Sequence, residues 1–166
     1  MDASTLLSRA RSALGKRTRY QSPGVTPPLQ AATWPESGAR CDCSGFLAWC
    51  LRISRRVDHP KYVAVNGGWF ETTGIHADVN NSWGFFEKLA QPQPGSFLVY
   101  PDQNGHDGHI GLVSEVKPGS GIDGVAKVIH CSLGGWNQHG DAIRETDAAI
   151  WRARPDSLIG WYAGIL

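Results

Sequence analysis

An α+β fold with an antiparallel sheet is what the sequence predicts, and three observations predict it. Helical apolar spacing is confined to the first third, at Leu6, Leu7, Ala10 and Leu14 and again at Phe46, Cys50 and Ile53. Apolar β-type runs follow in the second half, punctuated by turn residues such as Pro118-Gly119-Ser120-Gly121. The connections between those runs have hairpin length, so strands neighbour one another directly instead of alternating with helices.

Each element has its own warrant. Ser4 to Leu14 forms a packing helix, with Gly15 suited to its C-terminal end. Residues 22 to 40 hold Pro23, Gly24, Pro27, Pro28, Pro35 and Gly38, and read as an irregular loop over a site. A main helix runs from Cys43 to about Ser54. The segment Val57 to Gln91 reads as a loop and a short helix. Strands are expected at Ser96 to Tyr100, His109 to Val116, Val125 to Cys131, around Ile150 to Ala153, and near Trp161 to Ile165. Trp34, Trp69, Trp83 and Trp136 fall in or near loops, as satellite core residues or as faces for stacking.

Composition bounds the rest. A chain of 166 residues with 41% hydrophobic content has material for one core, so residues 1–166 are expected to form a single domain. A net charge of +1 gives no global field to attract nucleic acid. The basic groups Lys16-Arg17-Arg19 and Arg55-Arg56 read as solvated surface. No stretch approaches the ~20 apolar residues of a membrane span, and the N-terminus lacks the basic start and apolar run of a signal peptide. The expected location is therefore the cytoplasm, or outside it by a specialised secretion route. Four cysteines form no disulfide framework, and Cys41-x-Cys43 without a second Cys/His pair is too little for zinc; no metal or cofactor is expected. Cys50 belongs to the core.

Chemistry concentrates in Arg40-Cys41-Asp42-Cys43-Ser44-Gly45-Phe46-Leu47. Asp42 is a helix-capping residue type, which places Cys43 at the first helical position. Unpaired N–H groups and the positive end of the helix dipole there favour a thiolate. Gly45 leaves the approach to the sulfur uncrowded. Such a nucleophile needs a base, and His109 in Gly108-His109-Ile110-Gly111 opens a strand. The hairpin that follows sets His109 opposite residue 132, with His130 as a diagonal neighbour roughly 7–8 Å away between backbones. His109 is then the general base and His130 the group that sets its tautomer. His59, His76, His106 and His139 have no comparable setting.

The chain resembles the NlpC-type cysteine peptidases of bacterial cell-wall metabolism. The residues that carry the likeness are Leu14-Gly15 with Tyr20, Asp42-Cys43-Ser44-Gly45-Phe46, Pro94-Gly95-Ser96, Gly108-His109-Ile110-Gly111 and Ile129-His130, in that order. The sequence departs from the pattern in having Ser96 for the usual Asp and no Trp-Gly-Gly after Tyr20. The resemblance implies a papain-like fold, N-terminal helices packed on a central antiparallel sheet. It implies hydrolysis of an amide bond in the peptide stem of peptidoglycan, commonly between D-glutamate and the next, diamino, residue. Its partners are then stem peptides or muropeptides, and Tyr20, Asp42 and Ser44 would line the site and hold the substrate. Alternatives are a thiol-dependent acyltransferase, which passes the acyl group to an amine instead of water, and a non-catalytic wall-binding module. The Cys-His-His set favours an enzyme. Oligomeric state is open.

Overall fold

The computed structural model describes residues 1–21 and 39–165. Helix α1 (Ala3–Ser12) starts where the Asp2 carboxylate accepts from the Thr5 N–H, and it buries Leu6, Leu7 and Ala10. A short parallel pair follows, β1 (Arg19–Tyr20) with β2 (Arg40–Cys41), in which Tyr20 lies beside Cys41. The expected irregular loop lies outside the described residues apart from its last two, and Trp34 lies outside them as well. Helix α2 (Cys43–Leu51) is buried at every position and ends as Arg52 turns left-handed. A helix apolar all round is one surrounded by protein, and α2 is the central helix of the fold.

The segment after α2 is more ordered than its sequence suggests. It contains two helices, α3 (Pro60–Asn66) and α4 (Thr72–Asn81), and a strand, β3 (Phe86–Lys88). Pro60 opens α3 in the first turn and Gly67 closes it left-handed, the asymmetry expected of helix ends. Glu71 caps α4 by accepting from the Thr73 and Gly74 N–H groups. Tyr62 is fully buried among Phe70, Trp83 and Phe85, and its hydroxyl donates to the buried Asp78 at 3.0 Å. Trp83 thus packs as a satellite core residue.

The main sheet consists of β3, β4 (Phe97–Tyr100), β5 (His109–Val116), β6 (Val125–Cys131), β7 (Ile143–Thr146) and β8 (Leu158–Tyr162). Its order is β3-β8-β4-β5-β6-β7 and every pairing is antiparallel. Together with the helices this is the α+β, papain-like arrangement. Three of the expected strands match β4, β5 and β6; the last, expected near Trp161 to Ile165, lies three residues earlier as β8. Two expectations change. Residues Ala149–Arg152 form a one-turn helix, α6, in place of a strand, because the Asp147 carboxylate caps the Ala149 N–H and Trp151 turns into the core. Helix α5 (Leu133–His139) and strand β7 were not expected between β6 and that turn.

Alternation along the strands divides the core in two. Ile110, Leu112, Ile129 and Cys131 join α1 and α2 in one cluster. Val113 and Val128 face the other way, onto Trp151 and Ile159. In the hairpin Leu112 pairs with Ile129 and Val113 with Val128, the expected register; continued by one residue it sets His130 opposite Gly111 and diagonal to His109.

Candidate active site

The thiol is placed by the capping of α2. Asp42 is the N-cap, and its Oδ1 accepts from the Gly45 N–H at 2.5 Å. Cys43 follows as the first helical residue, 6% exposed. Beneath it lies Arg55, only 2% exposed, which contradicts its expected place on the solvated surface. The guanidinium forks onto Asp42, Nη1 to Oδ1 and Nη2 to Oδ2, both at 2.9 Å, and Nη1 also donates to the Ser44 hydroxyl at 3.0 Å. Its other side lies 4.6 Å over the Trp69 ring. A β-carbon at Gly45 would come within 2.8 Å of Asp42 Oδ1 and 3.0 Å of Arg55 Nη1. Gly45 therefore makes room for this ion pair, not for an incoming substrate.

Behind the thiol the chain of imidazoles is continuous. The Ser44 and Ile110 backbone N–H groups both favour the ionised sulfur of Cys43, which puts the thiol at the start of β5, where His109 also stands. His109 Nε2 lies 2.7 Å from His130 Nδ1, and His130 Nε2 lies 3.0 Å from the Thr146 hydroxyl. Trp151 packs on both rings, with centroids 5.3 Å from His109 and 5.2 Å from His130. A β-carbon at Gly111 would meet Val128, His130 and Trp151 at 2.6 to 2.9 Å. The two histidines approach because position 111 carries no side chain.

Burial sets the protonation states. It pushes His109 down to about 3, with His130 beside it adding to the effect, and His130 down to about 4. Burial first and the Asp42 charge second push the Cys43 thiol up, while the Ile110 and Ser44 N–H groups and Arg55 pull it down. The expected helix-start stabilisation of a thiolate is thus outweighed by desolvation. Burial thus favours the neutral forms of the thiol and of both imidazoles.

The thiol opens onto a cleft of about 310 Å³. Tyr20, Cys43 and Ser44 line it together with Glu71, Thr72 and Thr73 from the start of α4, and Asp102, Asp107 and Gly108 from the β4–β5 connection. Gly108 lets that connection close on α4, since a β-carbon there would clash with the Thr72 hydroxyl and the Tyr100 carbonyl. Of the three residues expected to meet substrate, Tyr20 and Ser44 lie on the cleft wall. Asp42 lies behind it, both oxygens occupied by Arg55 and the helix cap. Ser96 closes its own turn, donating to the Gln93 carbonyl at 2.7 Å. Among the described residues no group of three or more His, Cys, Asp or Glu side chains is gathered for a metal ion, and no helix is long and apolar enough to cross a membrane.

Arg55, Thr146 and Trp151 escape the sequence reading. Arg55 has no spacing that ties it to Asp42, and Thr146 lies in an unexpected strand. Trp151 is a large aromatic within Ile150 to Ala153, a run that reads as a strand from the sequence.

No curated protein matches the chain. Residues 33–131, which include Cys43, His109 and His130, match the CHAP domain. These are papain-like domains of the NlpC/P60 type, typically hydrolases acting on peptidoglycan. With the six-stranded antiparallel sheet, the helix-start cysteine and the strand-start histidine in place, the chain belongs to the CHAP family, and its activity is in general terms that of a cell-wall amidase or peptidase.

Proposed function

We propose that this CHAP domain is a cysteine peptidase that cleaves an amide bond in the peptide stem of peptidoglycan, the bond between D-glutamate and the diamino residue. Cys43 is the nucleophile, His109 the general base and His130 the group that orients it. The observation that carries this assignment is the 2.7 Å His109–His130 contact beside a helix-start thiol on a cleft wall. His109 takes the thiol proton as the sulfur attacks the scissile carbonyl, then delivers it to the leaving amine; water hydrolyses the thioester, with His109 again as base. Because the resting groups are neutral, proton transfer accompanies attack and the thiolate is not stored beforehand. The Cys43 backbone N–H at the start of α2 stabilises the oxyanion, and Tyr20 and Ser44 hold the stem peptide from the cleft wall.

Incubation of purified protein with muropeptides and intact sacculi, with products read by mass, tests this. Products cut between D-glutamate and the diamino acid are expected, and none from Cys43→Ala. His109→Ala should reduce turnover by about 10²–10⁴-fold, the contribution of a placed proton-transfer group. Cleavage at the sugar–L-alanine junction would make the protein an amidase of different specificity. Wild-type rates in Cys43→Ala would overturn the thiol mechanism.

A further inference from the structure

Thr146 stands at the far end of the imidazole chain, in strand β7. Its hydroxyl oxygen lies 2.9 Å from the Asp147 carbonyl oxygen and 3.0 Å from His130 Nε2. A carbonyl can only accept, so the hydroxyl hydrogen is committed to Asp147. What Thr146 offers His130 is a lone pair, and His130 Nε2 must carry the proton.

The assignment then propagates. A neutral imidazole has one N–H and one bare nitrogen. With Nε2 protonated, His130 Nδ1 is an acceptor, and the group 2.7 Å from it, His109 Nε2, must donate. His109 Nδ1 is left bare. That is the nitrogen a base needs if its other nitrogen is occupied by the orienting residue. We propose that Thr146 is a positioning residue that polarises this chain in one direction and thereby sets the base-competent tautomer of His109, two hydrogen bonds away.

Three observations support a built arrangement. Both imidazoles are buried, His109 9% and His130 5% exposed, and burial keeps them neutral, the condition on which the one-donor count depends. The acceptor that fixes Thr146 is itself held: the Asp147 carboxylate caps the Ala149 N–H at 2.8 Å, and two residues further Trp151 packs on both rings. Finally, His130 and Thr146 line a second cleft of about 270 Å³, which shares no residue with the one containing Cys43. Without the hydroxyl, water from that cleft would meet His130 Nε2. Water donates as readily as it accepts, so it would leave the tautomer unset.

The catalytic consequence rests on the proposed function, but the tautomer does not, and the experiment separates them. Long-range ¹H–¹⁵N spectra of the ¹⁵N-labelled protein near neutral pH should show both His109 and His130 as Nε2–H tautomers in the wild type. In Thr146→Val, which keeps the branched shape without the hydroxyl, both should show mixed tautomers. Its kcat on muropeptides should fall about tenfold or more, the scale on which outer partners of a functional imidazole act, with KM unchanged. Thr146→Ser should restore both readouts. A wild-type spectrum with His130 protonated on Nδ1 would overturn the proposal even if Thr146→Val did not fold. So would unchanged tautomers and kcat in a folded Thr146→Val. A protein that turned over no wall substrate would defeat the proposed function, and the spectra would still decide the role of Thr146.

Discussion

At the scale of single residues, the ion pair under Cys43 is the least expected feature. Asp42 is needed to start α2, yet its negative charge raises the proton affinity of the neighbouring thiol. Arg55 offsets that charge while satisfying both carboxylate oxygens. Buried pairs of this kind add little net stability when complete but are damaging when halved, because the remaining charge has no solvent. Arg55→Ala is expected to lower the unfolding free energy by about 3–5 kcal/mol, measured by urea titration. A change within about 0.5 kcal/mol, the range of ordinary surface substitutions, would mean Asp42 finds another partner. None of this was legible in the sequence, since Arg55-Arg56 resembles any exposed basic pair until the fold buries one member.

At the scale of elements, the parts of the site carried by periodicity were legible and those carried by tertiary contact were not. The β5–β6 hairpin has long apolar strands and a Pro/Gly turn, so its register, and with it the diagonal His109–His130 relation, followed from the sequence. The start of α2 followed from Asp42. Strand β7 is four residues long and α6 is a single turn, both too short for a period to emerge, yet they supply Thr146 and Trp151. The segment 57–91 reads as a loop and a short helix but holds two helices, because α3 is short, the apolar face of α4 is reduced to Ile75 and Val79, and the caps Pro60, Gly67 and Glu71 can equally be read as loop punctuation. One element-level prediction concerns Gly111, where a β-carbon on β5 would run into β6 and Trp151. Gly111→Ala adds one carbon against three neighbours; overpacking of this sort costs about 1–3 kcal/mol and must displace His130 or Trp151. Activity should fall by more than the loss of folded protein explains, as judged by kcat corrected for the folded fraction from near-UV circular dichroism. Equal loss in both would show that the histidines reposition freely.

At the scale of the whole molecule, burying two neutral histidines ties stability to pH. In the unfolded chain a histidine titrates near 6.5, whereas His109 and His130 resist protonation down to about 3 and about 4 in the folded state. Between those values the unfolded chain binds more protons, so stability rises with pH. No penalty exists above about pH 7; it grows as pH falls through 6.5 towards 4, by up to about 1.4 kcal/mol per pH unit for each histidine. The melting temperature should therefore drop between pH 7.5 and 5, and His130→Asn should roughly halve the slope. Half that slope in the unsubstituted protein would mean that one imidazole is charged in the folded state, and a flat or opposite trend that both are; either would also remove the neutral resting state of the proposed mechanism.

Strand β8 lies between β3 and β4 in the sheet, although it is the last of the described strands in sequence order. The order in which residues leave a ribosome therefore differs from the order in which the sheet can be assembled. Cys43, His109 and His130 are all synthesised before residues 158–162, and until those residues arrive β4 has an open edge and β3 has no partner in the sheet. Such late, long-range pairing makes folding slow and leaves an exposed edge in the interval. The pairing of β5 with β6, and with it the relation of His109 to His130, needs no residue of β8, so in a nascent chain of this topology the two histidines can meet while the edge of β4 is still open.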